Sequence, residues 1–145
     1  MNSKIASIIA TAVSILALAA LVMNHGLFTP SPVVTGVQAL AVLLMIWARL
    51  TFGVRSFHAA ANPTVGRLIT NGPYRYIRHP IYAAVVVFAV VGVIANWSML
   101  NGLFGLLIVA GMMTRALCEE RLLCVQYPEY AEYARRTWRM IPYVF

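Results

Sequence analysis

Residues 81–113 read IYAAVVVFAVVGVIA-NWS-MLNGLFGLLIVAGMM, a run without one formal charge. Two apolar stretches, 81–95 and 99–113, flank Asn96-Trp97-Ser98. Three residues allow only a tight turn, so the stretches predict an antiparallel helical hairpin. Each stretch holds 15 residues, short of the roughly 20 that cross a ~30 Å hydrocarbon layer. The expectation is therefore that the helices run on into their polar flanks. Those flanks are the polar centres of the chain. Before the hairpin stands Gly72-Pro73-Tyr74-Arg75-Tyr76-Ile77-Arg78-His79-Pro80, and after it come Arg115 and Glu119-Glu120.

Working outward, residues 5–23 are an uninterrupted apolar run of 19, long enough for a span. It exceeds a usual signal-peptide core, so a retained helix is expected despite the faint cleavage pattern at Ala17-Leu18-Ala19. Residues 24–32 form an uncharged loop in which His25 reads as a solvated side chain. A second span is expected over 33–50, with Trp47 and Arg49 as interfacial anchors and Gln38 as a helix–helix hydrogen-bonding residue. Residues 51–80 form a long polar connector without an acid. The chain from 115 to 145 forms a cap, with a short amphipathic helix over 127–136 and an aromatic, basic tail.

The fold class expected is an all-α integral membrane protein. It has about four transmembrane helices (5–23, 33–50, 81–95, 99–114), a helical hairpin and a cytoplasmic cofactor-binding cap, in one domain over 1–145. Composition supports this. Hydrophobic residues make up 61% and charged residues 10%, whereas soluble domains carry about 25% charged residues. The net charge of +7 accompanies no nucleic-acid recognition motif, so membrane lipids rather than nucleic acid are the expected partners. Basic residues lie before the first span, between the second and third, and after the fourth. That pattern predicts both termini on the cytoplasmic side, in the cell (inner) membrane. Cys118 and Cys124 lack metal or redox spacing and read as small, semi-buried apolar residues; no metal site is expected.

All four acids, Glu119, Glu120, Glu129 and Glu132, fall in the last 27 residues. Arg115 and Glu119 are one helical turn apart on one face. A charged pair at the mouth of a membrane hairpin is a site candidate, although a plain i,i+4 salt bridge is an equal reading. Pro80 suits the first turn of a helix, and Arg78 and His79 then lie beside its free N–H groups, a setting for an anion. Interfacial anchoring is the bland alternative. Together the clusters offer an anion site near His79 and a cation site at Glu119, which suits the amino acid end of S-adenosylmethionine.

The ordered set Arg78-His79-Pro80-Ile81-Tyr82, hydrophobic hairpin, Glu119-Glu120 resembles the isoprenylcysteine carboxyl methyltransferase family, related to phospholipid amine methyltransferases. Gly72-Pro73-Tyr74-Arg75-Tyr76 and Tyr127…Tyr130…Tyr133…Ile141-Pro142 also fit, so the resemblance covers roughly residues 50–142. It implies an S-adenosyl-L-methionine-dependent membrane methyltransferase acting on a lipophilic acceptor, foremost a carboxylate. By position, Gly66, Arg67, Leu68, Ile69, Tyr74, His79, Pro80, Ile81 and Tyr82 would line the cofactor. Glu119 would hold its amino group and Arg115 would be the catalytic residue facing the acceptor. The chain departs from the family in its small number of spans, in Ile81, and in Pro128 with a shortened spacing to the next tyrosine. His58 and Asn62 align loosely and stay undecided. Two other readings are an NADPH-dependent membrane reductase of related fold and a non-enzymatic lipid-binding scaffold.

Overall fold

The computed structural model describes residues 3–53 and 68–142. Among these residues there are five α-helices: α1 (Ser3–Met23), α2 (Pro32–Phe52), α3 (Pro80–Ala95), α4 (Met99–Gln126) and α5 (Tyr130–Arg136). A 3-10 turn, Gly72–Arg75, precedes α3. Among the described residues there is no strand, only an isolated parallel bridge between Ile77 and Trp138. The expected spans are therefore present as helices, with α1 and α2 each slightly longer than their apolar cores.

Three helices, α1, α2 and α4, are long and apolar enough to cross a membrane. The third expected span, α3, has 16 residues and so a length of about 24 Å. Pro80 fixes where it begins, because a proline costs no hydrogen bond in the first turn. Its partner behaves differently. Helix α4 runs through Arg115 and Glu119-Glu120 to Gln126, as the expected extension into polar flanks requires.

Helix α1 packs chiefly on α4, α2 on α3, and α3 on α4. Small residues let these helices approach closely, as lipid-embedded packing demands. Gly111 faces Ser14 and the Ala10 carbonyl, and a Cβ there would collide with the Ser14 side chain. Gly92 lies against the Leu27 backbone with no room for a methyl group. The core gathers Ala17, Leu21, Ala89, Val93, Ile108 and Ala116 from three helices. Large apolar side chains such as Leu16, Leu43 and Leu106 point outward, as they do where lipid is the solvent.

At the end remote from the polar clusters, amides tie the loops together. Asn24 Nδ2 donates to Asn101 Oδ1 at 2.6 Å, and Asn101 Nδ2 donates to the Asn96 carbonyl at 2.7 Å. Ser98 caps α4 by accepting from the Asn101 amide at 3.1 Å. Gln38 bridges elements as expected, donating to the Leu27 carbonyl at 2.8 Å and to that of Phe88, on α3, at 3.3 Å. His25 is an exposed loop residue. Of the two cysteines only Cys118 is buried; Cys124 is exposed.

Candidate functional site

The mouth of the α3–α4 hairpin brings together His79 from just before α3, Tyr82 from its first turn, and Arg115, Glu119 and Glu120 from α4. His79 Nδ1 lies 3.6 Å from Glu119 Oε2, and its Nε2 lies 3.2 Å from Glu120 Oε1. Tyr82 donates its hydroxyl hydrogen to Glu119 Oε2 at 2.8 Å and accepts from Arg115 Nε at 3.2 Å. Arg115 and Glu119 thus meet through Tyr82 and not as the simple i,i+4 pair that spacing alone allowed. The Tyr82 ring stacks on His79, with centroids 5.3 Å apart and planes 8° apart. The Arg115 guanidinium carbon also lies over the Tyr82 ring, 5.3 Å from its centroid.

The two adjacent acids differ in kind. Glu120 Oε1 accepts from Arg78 Nε and Arg139 Nε, each at 3.0 Å, and its Oε2 accepts from Arg139 Nη2 at 2.9 Å. With His79 this makes Glu120 a half-buried hub, both of whose oxygens accept from within the chain. Among the described residues Glu119 accepts from Tyr82 and lies beside His79, with the Arg115 charge nearby, and its side chain is 29% exposed against 13% for Glu120. It is the more exposed carboxylate of the pair.

The C-terminal tail holds the motif segment in place. Arg78 N–H donates to the Trp138 carbonyl at 2.8 Å, His79 N–H to that of Arg139 at 3.0 Å, and Trp138 N–H to that of Tyr76 at 2.9 Å. Arg78 Nη1 also donates to the carbonyls of Ala134 (2.6 Å) and Thr137. These bonds clamp the backbone of His79, whose side chain meets both acids. Burial alone would pull the His79 imidazole pKa down. Hydrogen bonds and charge from Glu119 and Glu120 outweigh that, so it lies above the usual histidine value.

The residues the family resemblance assigned to the cofactor fall into separate groups. His79, Pro80, Ile81, Tyr82 and Glu119 are together at the hairpin mouth, with Arg115 one turn deeper. Tyr74 packs instead on Phe52 (centroids 5.6 Å apart), and its carbonyl accepts from the Tyr133 hydroxyl at 2.7 Å. Burial pushes the Tyr133 phenol up to about 12, which keeps it a neutral donor. Leu68 lines a cleft of about 580 Å³ with Thr70, Arg75, Tyr133 and Thr137. Ile69 is half-buried in the same segment. Gly66, Arg67, His58 and Asn62 lie outside the described residues.

Sequence reasoning missed three participants. Arg139 reads as part of a basic tail, and only its pairing with Glu120 makes it part of the site. Tyr133 reads as one tyrosine among several on an amphipathic helix. Thr11 is the least foreseeable: it lies on α1, 104 positions away, and receives a hydrogen bond from Arg115 Nη1. The available signal was the i,i+4 spacing of Ser3, Ser7 and Thr11 in a helix whose other polar residues are Lys4 and Ser14.

An all-helical membrane protein with a histidine, tyrosine, arginine and two glutamates joined at the mouth of a helical hairpin is a specific combination. Residues 31–125 match the isoprenylcysteine carboxyl methyltransferase family, and the chain belongs to it. The family is described as one of isoprenylcysteine carboxyl methyltransferases. The chain is also 36% identical over 80 residues to the cobalt-zinc-cadmium resistance protein CzcN of Cupriavidus metallidurans. That alignment covers 52% of this chain and 35% of CzcN, so the chain corresponds to about a third of the length of this curated relative. No solved structure matches it significantly. The family match leaves out α1 and the tail beyond residue 125, which nevertheless contribute Thr11 and Arg139 to the cluster.

Proposed function

We propose that this protein is an S-adenosyl-L-methionine-dependent methyltransferase that modifies a lipophilic carboxylate at the membrane. The observation that carries this reading is the meeting of His79 and Glu119, 3.6 Å apart, with Glu119 partly open. When bound, the cofactor supplies a methyl group activated by a sulfonium. Glu119 would accept hydrogen bonds from its ammonium group, with Tyr82 and His79 holding the carboxylate in one orientation. The carboxylate end of the cofactor would lie at the first-turn N–H groups of Ile81 and Tyr82, which have no acceptor within their own helix. Pro80, His79 and the tail strap would fix that turn. Tyr74, Leu68 and Ile69, with Gly66 and Arg67, would line the adenosine end.

Arg115 would position the acceptor. A carboxylate is ionised at neutral pH and needs no general base, so alignment is the chief task. A guanidinium is suited to it because its paired donors match a carboxylate in plane. Methylation removes the acceptor's charge, so the ester product loses its attraction to Arg115 and leaves toward the lipid. A lipid amine would gain nothing from that cation. The cap side, with its basic residues, would face the cytoplasm of the cell membrane.

Isothermal titration with S-adenosylhomocysteine tests the cofactor site. Glu119→Gln and His79→Ala are expected to bind at least tenfold more weakly than the wild type, by about 1.4 kcal/mol or more. Equal affinity in all three proteins would remove these assignments. Incubation with isotope-labelled cofactor and membrane lipids, followed by mass spectrometry, identifies the acceptor.

A further inference from the structure

Helix α1 lies wholly before the family-matched segment, yet it touches the residue proposed to face the acceptor. The Thr11 hydroxyl donates to the Ser7 carbonyl at 2.7 Å, so its hydrogen is committed and its lone pairs face away from its own helix. Arg115 Nη1 donates to that oxygen. At the other edge of the guanidinium, Arg115 Nε donates to the Tyr82 hydroxyl at 3.2 Å. The group is therefore anchored from at least two other helices, α1 and α3, while its own backbone is in α4. Arg115 is 8% exposed, so these anchors operate with little competition from water. A long, four-torsion side chain is thereby held in one orientation before any acceptor arrives, and such preorganisation lowers the entropic cost of alignment.

We infer that Thr11 is a positioning residue for methyl transfer, aiming Arg115 at the carboxylate of the acceptor, and that α1 is thus part of the active site. This rests on the reading of Arg115 as the acceptor-facing residue. Thr11 itself touches neither substrate nor cofactor. Its neighbour Ser7 supplies the control. Ser7 sits one turn away, is fully buried, and its hydroxyl has no hydrogen-bond partner among the described residues.

The test uses the full chain in lipid nanodiscs, with N-acetyl-S-farnesylcysteine as the carboxylate probe, and compares wild type, Thr11→Val, Thr11→Ser and Ser7→Ala. Thr11→Val keeps the shape and removes the acceptor oxygen. It is expected to lose about tenfold to a hundredfold in kcat/KM for the probe, the scale of one hydrogen bond to a charged group. Affinity for S-adenosylhomocysteine should stay unchanged. Thr11→Ser, which restores the oxygen, should recover to within about threefold of wild type, and Ser7→Ala should match it. The inference is overturned if Thr11→Val turns over like wild type. It is also overturned if Thr11→Ser is as impaired as Thr11→Val, or if Thr11→Val loses homocysteine-adduct affinity in parallel, since both indicate general damage to packing. A wild-type protein that binds S-adenosylhomocysteine but does not methylate the probe removes the carboxylate reading, and this inference with it.

Discussion

Replacing Glu120 by glutamine separates the structural acid from the ligand-facing one. The wild-type carboxylate receives Arg78 Nε at 3.0 Å, Arg139 at 3.0 and 2.9 Å, and His79 Nε2 at 3.2 Å. Glutamine keeps one acceptor oxygen but turns an N–H₂ group toward cations that can only donate. Removing one partner from a buried ion pair costs about 3–5 kcal/mol, because the remaining charge stays buried without compensation. The side chains of Arg78 and Arg139 are 10% and 22% exposed, so water recovers part of the loss at Arg139. The expected cost lies at the lower end, about 3 kcal/mol, or about a hundredfold in the folded-to-unfolded ratio. Glu119→Gln keeps an acceptor for Tyr82 and disturbs only the longer contact to His79, so about 1 kcal/mol is expected. Denaturant titration in detergent micelles, followed by tryptophan fluorescence, measures both. Adding Arg139→Gln to Glu120→Gln should cost less than the sum of the single changes, because the two residues hydrogen-bond to each other. If Glu120→Gln stays within about 0.5 kcal/mol of wild type, or Glu119→Gln proves the more damaging, the division of labour between the acids is wrong.

Other outcomes follow from the same geometry. Gly92→Ala should destabilise the fold by about 1–3 kcal/mol, since the added methyl meets the Leu27 backbone and not a movable side chain; the same titration checks it. Tyr133→Phe removes the hydrogen bond to the Tyr74 carbonyl and should cost about 1 kcal/mol, with weaker S-adenosylhomocysteine binding if the Tyr74 segment lines the cofactor. His79 has a folded pKa above its unfolded value, so protonated His79 favours the folded state. Its contribution is complete below the unfolded value of about 6.5 and is lost as pH rises through the higher folded value. Stability measured against pH should therefore fall over that window in the wild type and stay flatter in His79→Gln.

Much of the architecture is legible in the apolar runs. Asn96-Trp97-Ser98 is too short for anything but the turn between α3 and α4, and the gaps at His25 and at the long connector separate the other helices. The meeting of His79 and Glu119 is legible for the same reason: a hairpin returns the chain to its starting face. Pairings that depend on nonlocal return are not legible. Nothing near Arg139 announces that it folds back onto Glu120, because the strap consists of backbone bonds that any residues there can make. Thr11 and Arg115 meet because α1 packs against α4, whereas chain order leaves the partner of α1 open. Cys124 turns outward for a local reason: it lies on the exposed face of the last turns of α4. The contrast between Glu119 and Glu120 follows from the 100° between successive helical positions, but which of them faces the tail requires the tail's position.

The most direct test is a structure of the protein with S-adenosylhomocysteine bound. The account predicts the ligand's amino nitrogen within hydrogen-bonding reach of the Glu119 carboxylate, about 2.7–3.2 Å, beside His79 and Tyr82. An amino group held elsewhere, with Glu119 still facing only Tyr82 and His79, would contradict it.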